Sequence, residues 1–276
     1  MATTTKAAAP AKKSQGFGGI KQAWIILVIC CVIAYCFYFF VLGNPDNFVG
    51  GDRSGHPANL MGTVYKGGVV VGIILTLLLT VIVLGVERFF ALKTASGKIN
   101  LAKFTADVKK LIKDQNFTEA RNLCNKMQGS VANVVLASIN MYETVEKDDT
   151  LKKAQKIAKI QQAHEEATQL EMPTLTMNLP MVATIVSLGT LTALFGTVLG
   201  MIGSFQALSA GGGADSMALS AGISEALVNT ASGILTSWVA TVVYNFFSNK
   251  IDKLTFALDE VGYTIAATYD SNHHEA

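Results

Sequence analysis

Residues 68–88 read GVVVGIILTLLLTVIVLGVER, a run of nineteen uncharged residues followed at once by Glu87 and Arg88. An α-helix needs about 20 predominantly apolar residues to cross the hydrocarbon core of a bilayer. The stretch therefore predicts a transmembrane helix. It also indicates the fold class, because only helices and closed barrels satisfy their backbone polar groups inside lipid.

Three other stretches have a similar length and character: 24–42 (WIILVICCVIAYCFYFFVL), 179–205 and 223–247. A cleaved signal peptide is the alternative for the first, since Lys12, Lys13 and Lys21 precede it. Its apolar run is longer than that of a signal peptide, however, and no A-x-A cleavage site follows it. We therefore expect an all-α integral membrane protein with four transmembrane helices.

The distribution of charge predicts the orientation of these spans. The chain has 276 residues, half of them apolar and only 15% charged, whereas a soluble domain has about a quarter charged. Of the 22 basic residues, fourteen lie between the second and third spans, four before the first and two after the fourth. Basic residues favour the cytoplasmic side, so we expect both termini in the cytoplasm.

The block between the second and third spans predicts a helical cytoplasmic domain. Apolar residues recur there at helical spacing, and Asn116 with Glu119 predicts a helix cap. Pro173 and Pro180 are expected to kink a long helix that enters the third span. The predicted organisation is a disordered cytoplasmic tail (1–22), an extra N-terminal span (23–42), a periplasmic loop (43–67), a span (68–86), the cytoplasmic domain (87–178), a span (179–205), a periplasmic loop (206–222), a span (223–247) and a cytoplasmic tail (248–276).

The last two spans differ from the first two, which are apolar all round and are expected to face mostly lipid. In the third, small and hydroxyl side chains form one stripe: Thr190, Ala193, Thr197, Gly200 and Ser204. In the fourth, Glu225, Asn229, Ser232 and Thr236 share a face, Thr230, Gly233, Ser237, Thr241 and Tyr244 occupy the adjoining arc, and Leu227, Ile234, Leu235, Trp238 and Val242 lie opposite.

Two neighbouring polar stripes favour a shared polar lumen. The residues predicted to line a proton path are Thr190, Thr197, Glu225, Asn229, Thr230, Ser232, Thr236 and Ser237. Gly196, Gly200 and Gly233 are predicted to pack helices together. The alternative for each single hydroxyl is a bond to its own helix backbone or a packing contact.

No Asp, Glu, Lys, Arg or His lies near the middle of any span, and Glu225 stands at the outer end of the fourth. A proton carrier needs an ionisable group part-way through the bilayer. The chain therefore cannot pump protons alone, and a partner must supply the titrating group.

The segments GTVLGMIGSF (196–205), GISEALVNTASGIL (222–235) and VVYNFFSNKI (242–251) resemble the ExbB/TolQ/MotA proton-channel family, and within it ExbB most. The resemblance implies a pentameric homo-oligomer in the lipid bilayer, built around an ExbD-like subunit that carries the titrating Asp. It also implies a TonB-like protein that energises outer-membrane transport. Thr197 and Thr230 match the family's pore-lining threonines, and Glu225 matches its lumen-facing glutamate.

The chain departs from the family pattern in three places. Thr190 and Val239 stand where members have proline, and the first span is additional. A TolQ-like motor subunit for envelope maintenance and a non-conducting scaffold remain alternatives. A flagellar stator, a secondary transporter and an enzyme are disfavoured, and His56, His164, His273 and His274 form no catalytic set. We expect no catalytic residue, metal, cofactor or nucleic-acid partner.

Overall fold

A computed structural model of the chain describes residues 23–53, 55–210 and 216–273. Within these ranges the chain is helical and has no β-strand, only an isolated bridge between Phe48 and Pro57. The predicted all-α fold class is confirmed. The predicted N-terminal tail at 1–22 and the end of the C-terminal tail at 274–276 lie outside the described residues.

The helices are α1 (Ala23–Phe37, continued by a π-helical turn, Tyr38–Leu42), α2 (Leu60–Tyr65), α3 (Gly68–Ala95), α4 (Leu101–Lys113), α5 (Phe117–Met127), α6 (Gly129–Glu146), α7 (Lys153–Thr176), α8 (Leu179–Ala210) and α9 (Ser216–Asn272). Four of them are long and apolar enough to cross a membrane, namely α1 with its continuation, α3, α8 and α9. The predicted number of spans is therefore confirmed.

Three of these helices run beyond the predicted limits of their spans. α3 continues to Ala95, α8 to Ala210, and α9 extends from Ser216 to Asn272 without a break at Val239. The described parts of the predicted loop (206–210 and 216–222) and most of the predicted tail (248–272) are therefore helical. Hydropathy indicates where apolar surface ends, and a helix continues past that point when no breaker residue follows.

The described residues form two compact units. The membrane unit comprises 23–88 and 178–248, and the polar unit comprises 89–177 and 249–273. Helices α3 and α9 contribute residues to both units.

In the membrane unit, α3 is the most buried of the spans, with half of its apolar window inside the chain. Val71, Ile74, Val81 and Leu84 are fully buried. The expectation that this span faces mostly lipid is therefore wrong, because its side chains form the core against α1, α8 and α9. A uniformly apolar sequence has no face that distinguishes lipid contact from protein contact.

Helix α1 packs through one stripe of side chains spaced four residues apart and exposes its other face. The buried stripe is Ile26, Cys30, Ala34, Tyr38 and Leu42. At the end of this stripe the hydroxyl of Tyr38 donates to the carbonyl of Tyr65 at 2.9 Å, and the two rings stack with centroids 4.8 Å apart. The first span is therefore an integral part of the membrane unit.

The helix is interrupted between α7 and α8, where the sequence predicted one continuous, kinked helix. Met177 is extended (φ −47°, ψ 139°) and Asn178 has a φ of +64°. Pro173 remains inside α7, while Pro180 occupies the first turn of α8, where its missing N–H removes no helical hydrogen bond. The prediction of a proline kink in a continuous helix is therefore wrong.

Glu87 and Arg88, which follow the second predicted span, are buried inside the chain. The guanidinium of Arg88 donates to both carboxylate oxygens of Glu87, at 2.7 and 2.6 Å. The side chain of Asn178 donates to the same carboxylate at 3.2 Å. This bidentate pair is therefore linked directly to the left-handed residue that begins α8.

We expect Glu87→Ala to lower the free energy of unfolding by about 3–5 kcal/mol, because it leaves a buried guanidinium without its carboxylate. The double substitution E87M/R88M removes both charges at similar volume and should cost distinctly less. Thermal unfolding in detergent, followed by circular dichroism, measures both. A double variant as unstable as the single one would contradict this account of the pair.

The polar unit is built from α4 to α7 and the last turns of α9. Its core side chains include Phe104, Val135 and Tyr142, all fully buried, and Tyr142 packs edge-on against Tyr269 of α9. Ion pairs Lys109–Glu260 and Lys153–Asp270 join α4 and α7 to the same helix. The segment predicted as a C-terminal tail is thus a core element of this unit.

The predicted cap of α5 is present. The side-chain oxygen of Asn116 accepts from the backbone N–H of Glu119 at 3.2 Å, and its amide donates back to the Glu119 carboxylate at 3.0 Å. The two residues hold each other at the start of the helix, so this local signal was sufficient in the sequence alone.

His164 is buried in the polar unit, where its Nδ1 lies 2.9 Å from the hydroxyl oxygen of Ser138. That hydroxyl is also 3.0 Å from the carbonyl oxygen of Val134, to which it can donate its single proton. Nε2 of His164 has no hydrogen-bond partner among the described residues. It lies against Gly262, where any Cβ would collide with the ring.

Burial lowers the pKa of His164, and the nearby carboxylates of Asp259 and Glu165 oppose this only in part. The unfolded chain therefore binds more protons between the lowered pKa and the ordinary value of about 6.5. Stability that is fully present above this interval is lost as the pH falls through it.

We expect the unfolding temperature of the protein to fall on acidification below about pH 6.5, and the fall to be smaller in His164→Asn, which keeps a donor but cannot be protonated. Unfolding temperatures in detergent across a pH series measure this. His273→Asn, which removes a partly exposed histidine of the same unit, is the matched control. Identical pH profiles for H164N and the unsubstituted protein would refute the assignment.

Candidate functional site

Helices α8 and α9 are packed against each other along a seam of small residues. On α8 the buried positions are Gly189, Ala193, Gly196 and Gly200, and on α9 they include Ala226, Asn229 and Gly233. A Cβ added at Gly200 would lie 2.9 Å from the carbonyl oxygen of Gly222. The two backbones are therefore in direct contact, an approach that only glycine permits.

Two pairs of hydroxyl groups bridge this seam. The Oγ1 atoms of Thr197 and Thr230 are 2.6 Å apart, and Oγ1 of Thr190 is 2.9 Å from Oγ of Ser237. The higher-numbered residue of α8, Thr197, pairs with the lower-numbered residue of α9, Thr230, so the two helices are antiparallel. The seven-residue spacing on each helix places both pairs on the same side of the seam.

The Thr197–Thr230 pair has more acceptors than protons. Each hydroxyl can donate to the carbonyl one turn earlier in its own helix, from Thr197 to Ala193 at 2.9 Å and from Thr230 to Ala226 at 3.0 Å. Each can instead donate to the other hydroxyl, and each has only one proton. At least two arrangements therefore satisfy the pair, and a hydroxyl that donates to its backbone still accepts from its neighbour.

Burial divides the predicted path-lining residues into two sets. Exposed or half-buried in the chain are Thr190, Thr197, Glu225, Thr230, Ser232 and Ser237, whereas Asn229 and Thr236 are completely buried. Thr236 donates to the carbonyl of Ser232 at 2.9 Å. The polar face predicted for the fourth span therefore turns partly into the protein, and the adjoining arc carries the accessible hydroxyls.

Asn229 has the least satisfied polar side chain of the seam. Neither its amide nitrogen nor its oxygen has a hydrogen-bond partner among the described residues. A Cβ at Gly196 would lie 2.8 Å from the amide carbon of Asn229, so the amide lies flat against the glycine. A buried donor or acceptor without a partner lowers the free energy of unfolding by about 1–3 kcal/mol. This cost falls in the middle of the seam.

Glu225 lies in the third turn of α9, because that helix begins at Ser216 rather than at the predicted outer end of the span. Its carboxylate is half-buried beside the first residue of α3, where a Cβ at Gly68 would lie 2.5 Å from Oε1. The N-terminus of a helix favours negative charge. The carboxylate therefore has a structural partner in α3 that its own helix does not provide.

The opposite face of α9 is exposed, as the sequence predicted. Leu227, Ile234, Leu235, Trp238 and Val242 are each more than half exposed in the chain. This face is therefore available to lipid or to another subunit.

Sequence reasoning missed two buried hydroxyl residues and one glycine of the seam. Thr76 and Thr80 of α3 are buried and donate to carbonyls of their own helix, and Gly189 extends the seam two turns beyond Gly196. The signal for Gly189 was its seven-residue spacing from Gly196. Nothing in the local sequence separates Thr76 and Thr80 from hydroxyls that face lipid.

Metal chemistry has no site in the part of the chain that the structure describes, where no group of three His, Cys, Asp or Glu side chains could hold a metal ion. His274 lies outside the described residues.

Comparison with known proteins gives a family match and several partial relatives. Residues 128–260 match the MotA/TolQ/ExbB proton channel family. A putative biopolymer transport protein ExbB-like 3 of Synechocystis sp. is 36% identical over 98 residues, which is 35% of this chain and 46% of that protein. The Tol-Pal system proteins TolQ of Haemophilus influenzae and Pseudomonas aeruginosa are 34% and 36% identical over 88 residues.

The matches to the two TolQ proteins each cover 32% of this chain. They cover 39% of the Haemophilus influenzae protein and 38% of the Pseudomonas aeruginosa protein. The chain therefore spans less than half the length of the relatives that it matches.

We expect Gly200→Ala to lower the unfolding temperature in detergent, with a cost of about 1–3 kcal/mol, because the new methyl group meets backbone that cannot move aside. Gly203→Ala is the matched control, since a Cβ there meets nothing within 4 Å. Equal effects of the two substitutions would show that the seam is looser than the structure indicates.

Proposed function

We propose that the chain is the wall subunit of a motor driven by the proton-motive force, because residues 128–260 match the MotA/TolQ/ExbB proton channel family. In this proposal it works with an ExbD-like partner and energises TonB-dependent transport across the outer membrane. The chain supplies helices that surround the partner's spans. It contributes no catalytic residue and no cofactor.

The observation that carries the proposal is the hydroxyl pair of Thr197 and Thr230, partly accessible in the middle of two uncharged spans. A hydroxyl can accept one proton and donate another without acquiring a charge. The chain has no carboxylate, imidazole or amine between residues 226 and 247 or between 179 and 210. The proton carrier must therefore come from the partner, and the wall offers it polar contacts.

The second pair, Thr190 with Ser237, extends the accessible hydroxyls by two turns along the same side. Together the two pairs form a polar track on which a partner's carboxylic acid could be solvated during passage. Asn229 and Thr236, being buried, are assigned to the support of this track rather than to its surface. Glu225 is assigned to one end of it, beside the start of α3.

The proposed setting is the bacterial inner membrane, with both termini in the cytoplasm and several copies of the chain in a closed ring. The basic residues support this orientation, since 20 of 22 then lie on the cytoplasmic side. A pentamer is the number expected from the family resemblance. A proton that crosses 100 mV releases about 2.3 kcal/mol, enough for one or two protons to drive a mechanical step.

We expect T197V/T230V, which replaces both hydroxyls by methyl groups of equal size, to abolish most proton flux and most TonB-dependent uptake while assembly with the partner stays normal. T197S/T230S restores the hydroxyls and should restore the flux. The measurement is proton entry into proteoliposomes that contain the co-purified complex, together with nutrient uptake in cells.

The matched control is T76V/T80V, which removes two buried hydroxyls that donate only to their own helix. It should retain the flux. Flux at the unsubstituted level in T197V/T230V, with normal assembly, would show that these hydroxyls only pack helices. Absence of flux in the unsubstituted complex would instead support a non-conducting scaffold.

A TolQ-like role in envelope maintenance is the second candidate, favoured by the two TolQ relatives. The same hydroxyl chemistry serves both roles, so the site does not separate them. Loss of the gene distinguishes them: an ExbB-like role predicts loss of nutrient uptake, and a TolQ-like role predicts sensitivity to detergents with uptake intact.

A further inference from the structure

A compact group of basic and aromatic side chains lies where α3 and α9 emerge from their apolar segments. Phe89 follows the apolar run of α3 after Glu87 and Arg88, and Lys250 follows the apolar run of α9. The ammonium group of Lys250 lies over the ring of Phe89, 5.6 Å from its centroid. Lys93 is one helical turn after Phe89 and therefore on the same face of α3.

The positive charge of this group has no carboxylate partner among the described residues. No ion pair joins Lys93 or Lys250 to any of them, whereas three other basic side chains of the polar unit, Lys109, Arg121 and Lys153, do have carboxylate partners. On α9 the nearest acidic residue in sequence is Asp252. It is two residues from Lys250, about 200° around the helix, and so faces away.

The aromatic members are exposed. Phe89 and Phe90 retain 45% and 55% of their accessible surface, and Lys93 is exposed as well. Exposed phenylalanine is unfavourable in water but is suited to the acyl boundary of a bilayer, while lysine is suited to the phosphate layer just above it. The position of the group, at the ends of two spans, matches that boundary.

We propose that Phe89, Lys93 and Lys250 form a binding site for the headgroup of an anionic phospholipid. The phosphodiester is held between the two ammonium groups, and the Phe89 ring lies against the glycerol and the first methylenes. A zwitterionic lipid is a poorer ligand because its own amine neutralises its phosphate. This site goes beyond the proposed motor function and does not depend on proton conduction.

The test uses the full-length protein in detergent, with binding of dioleoyl phosphatidylglycerol and dioleoyl phosphatidylcholine measured separately by native mass spectrometry. A lysine near an anionic lipid surface contributes about 1 kcal/mol, or about fivefold in affinity. We therefore expect K93Q/K250Q to weaken phosphatidylglycerol binding by about 25-fold and to leave phosphatidylcholine binding unchanged. F89L, which keeps both charges, should give a smaller loss.

K126Q/K147Q is the matched control, because it removes the same charge from two exposed lysines of the polar unit that lie in α5 and just after α6, not at the end of an apolar segment. It should bind phosphatidylglycerol as the unsubstituted protein does. The proposal fails if K93Q/K250Q keeps the preference for phosphatidylglycerol, or if both double variants lose it equally. It also fails if millimolar inorganic phosphate displaces the lipid, which would identify a soluble phosphate as the ligand.

Discussion

The contact between the backbones of α8 and α9 is the constraint on which the rest of the membrane unit depends. Inside a bilayer no hydrophobic force drives one helix against another, so the helices associate through close packing and polar contacts. Glycines at 189, 196, 200 and 233 permit that packing. Every hydroxyl contact across the seam exists because the helix axes are this close, since Ser and Thr side chains are too short to meet otherwise.

The seam also separates polar groups by accessibility. Thr197 and Thr230 meet at the edge of the contact, where they are only half-buried, while Asn229 lies inside it against Gly196. The edge hydroxyls have more than one way to arrange their protons, and the inner amide has no partner at all among the described residues. A small opening of the seam would therefore uncover the amide of Asn229 and lengthen the hydroxyl bridge together.

The four spans could be predicted from the length of the apolar runs, and the exposed face of α9 from the helical spacing of its apolar residues. The burial of α3 could not, since a helix that is apolar all round gives no sign of its neighbours. The break at Met177–Asn178 was missed because proline is the stronger local signal, whereas the break depends on a left-handed asparagine held by buried Glu87. Likewise, the periodicity placed Thr197 and Thr230 each on a polar stripe, but their 2.6 Å contact depends on the register between two helices.

Helix α8 is longer than the hydrocarbon core of a membrane is thick. Its 32 residues measure about 48 Å, against a hydrocarbon core of about 30 Å. Roughly a dozen residues exceed that thickness, so the helix must tilt steeply or project into the headgroup layer and beyond. Projection at the α8–α9 connection would put Gly200, Gly222 and Glu225 in an interfacial setting. A carboxylate can stay charged there without the loss of hydration that it would suffer at the bilayer centre.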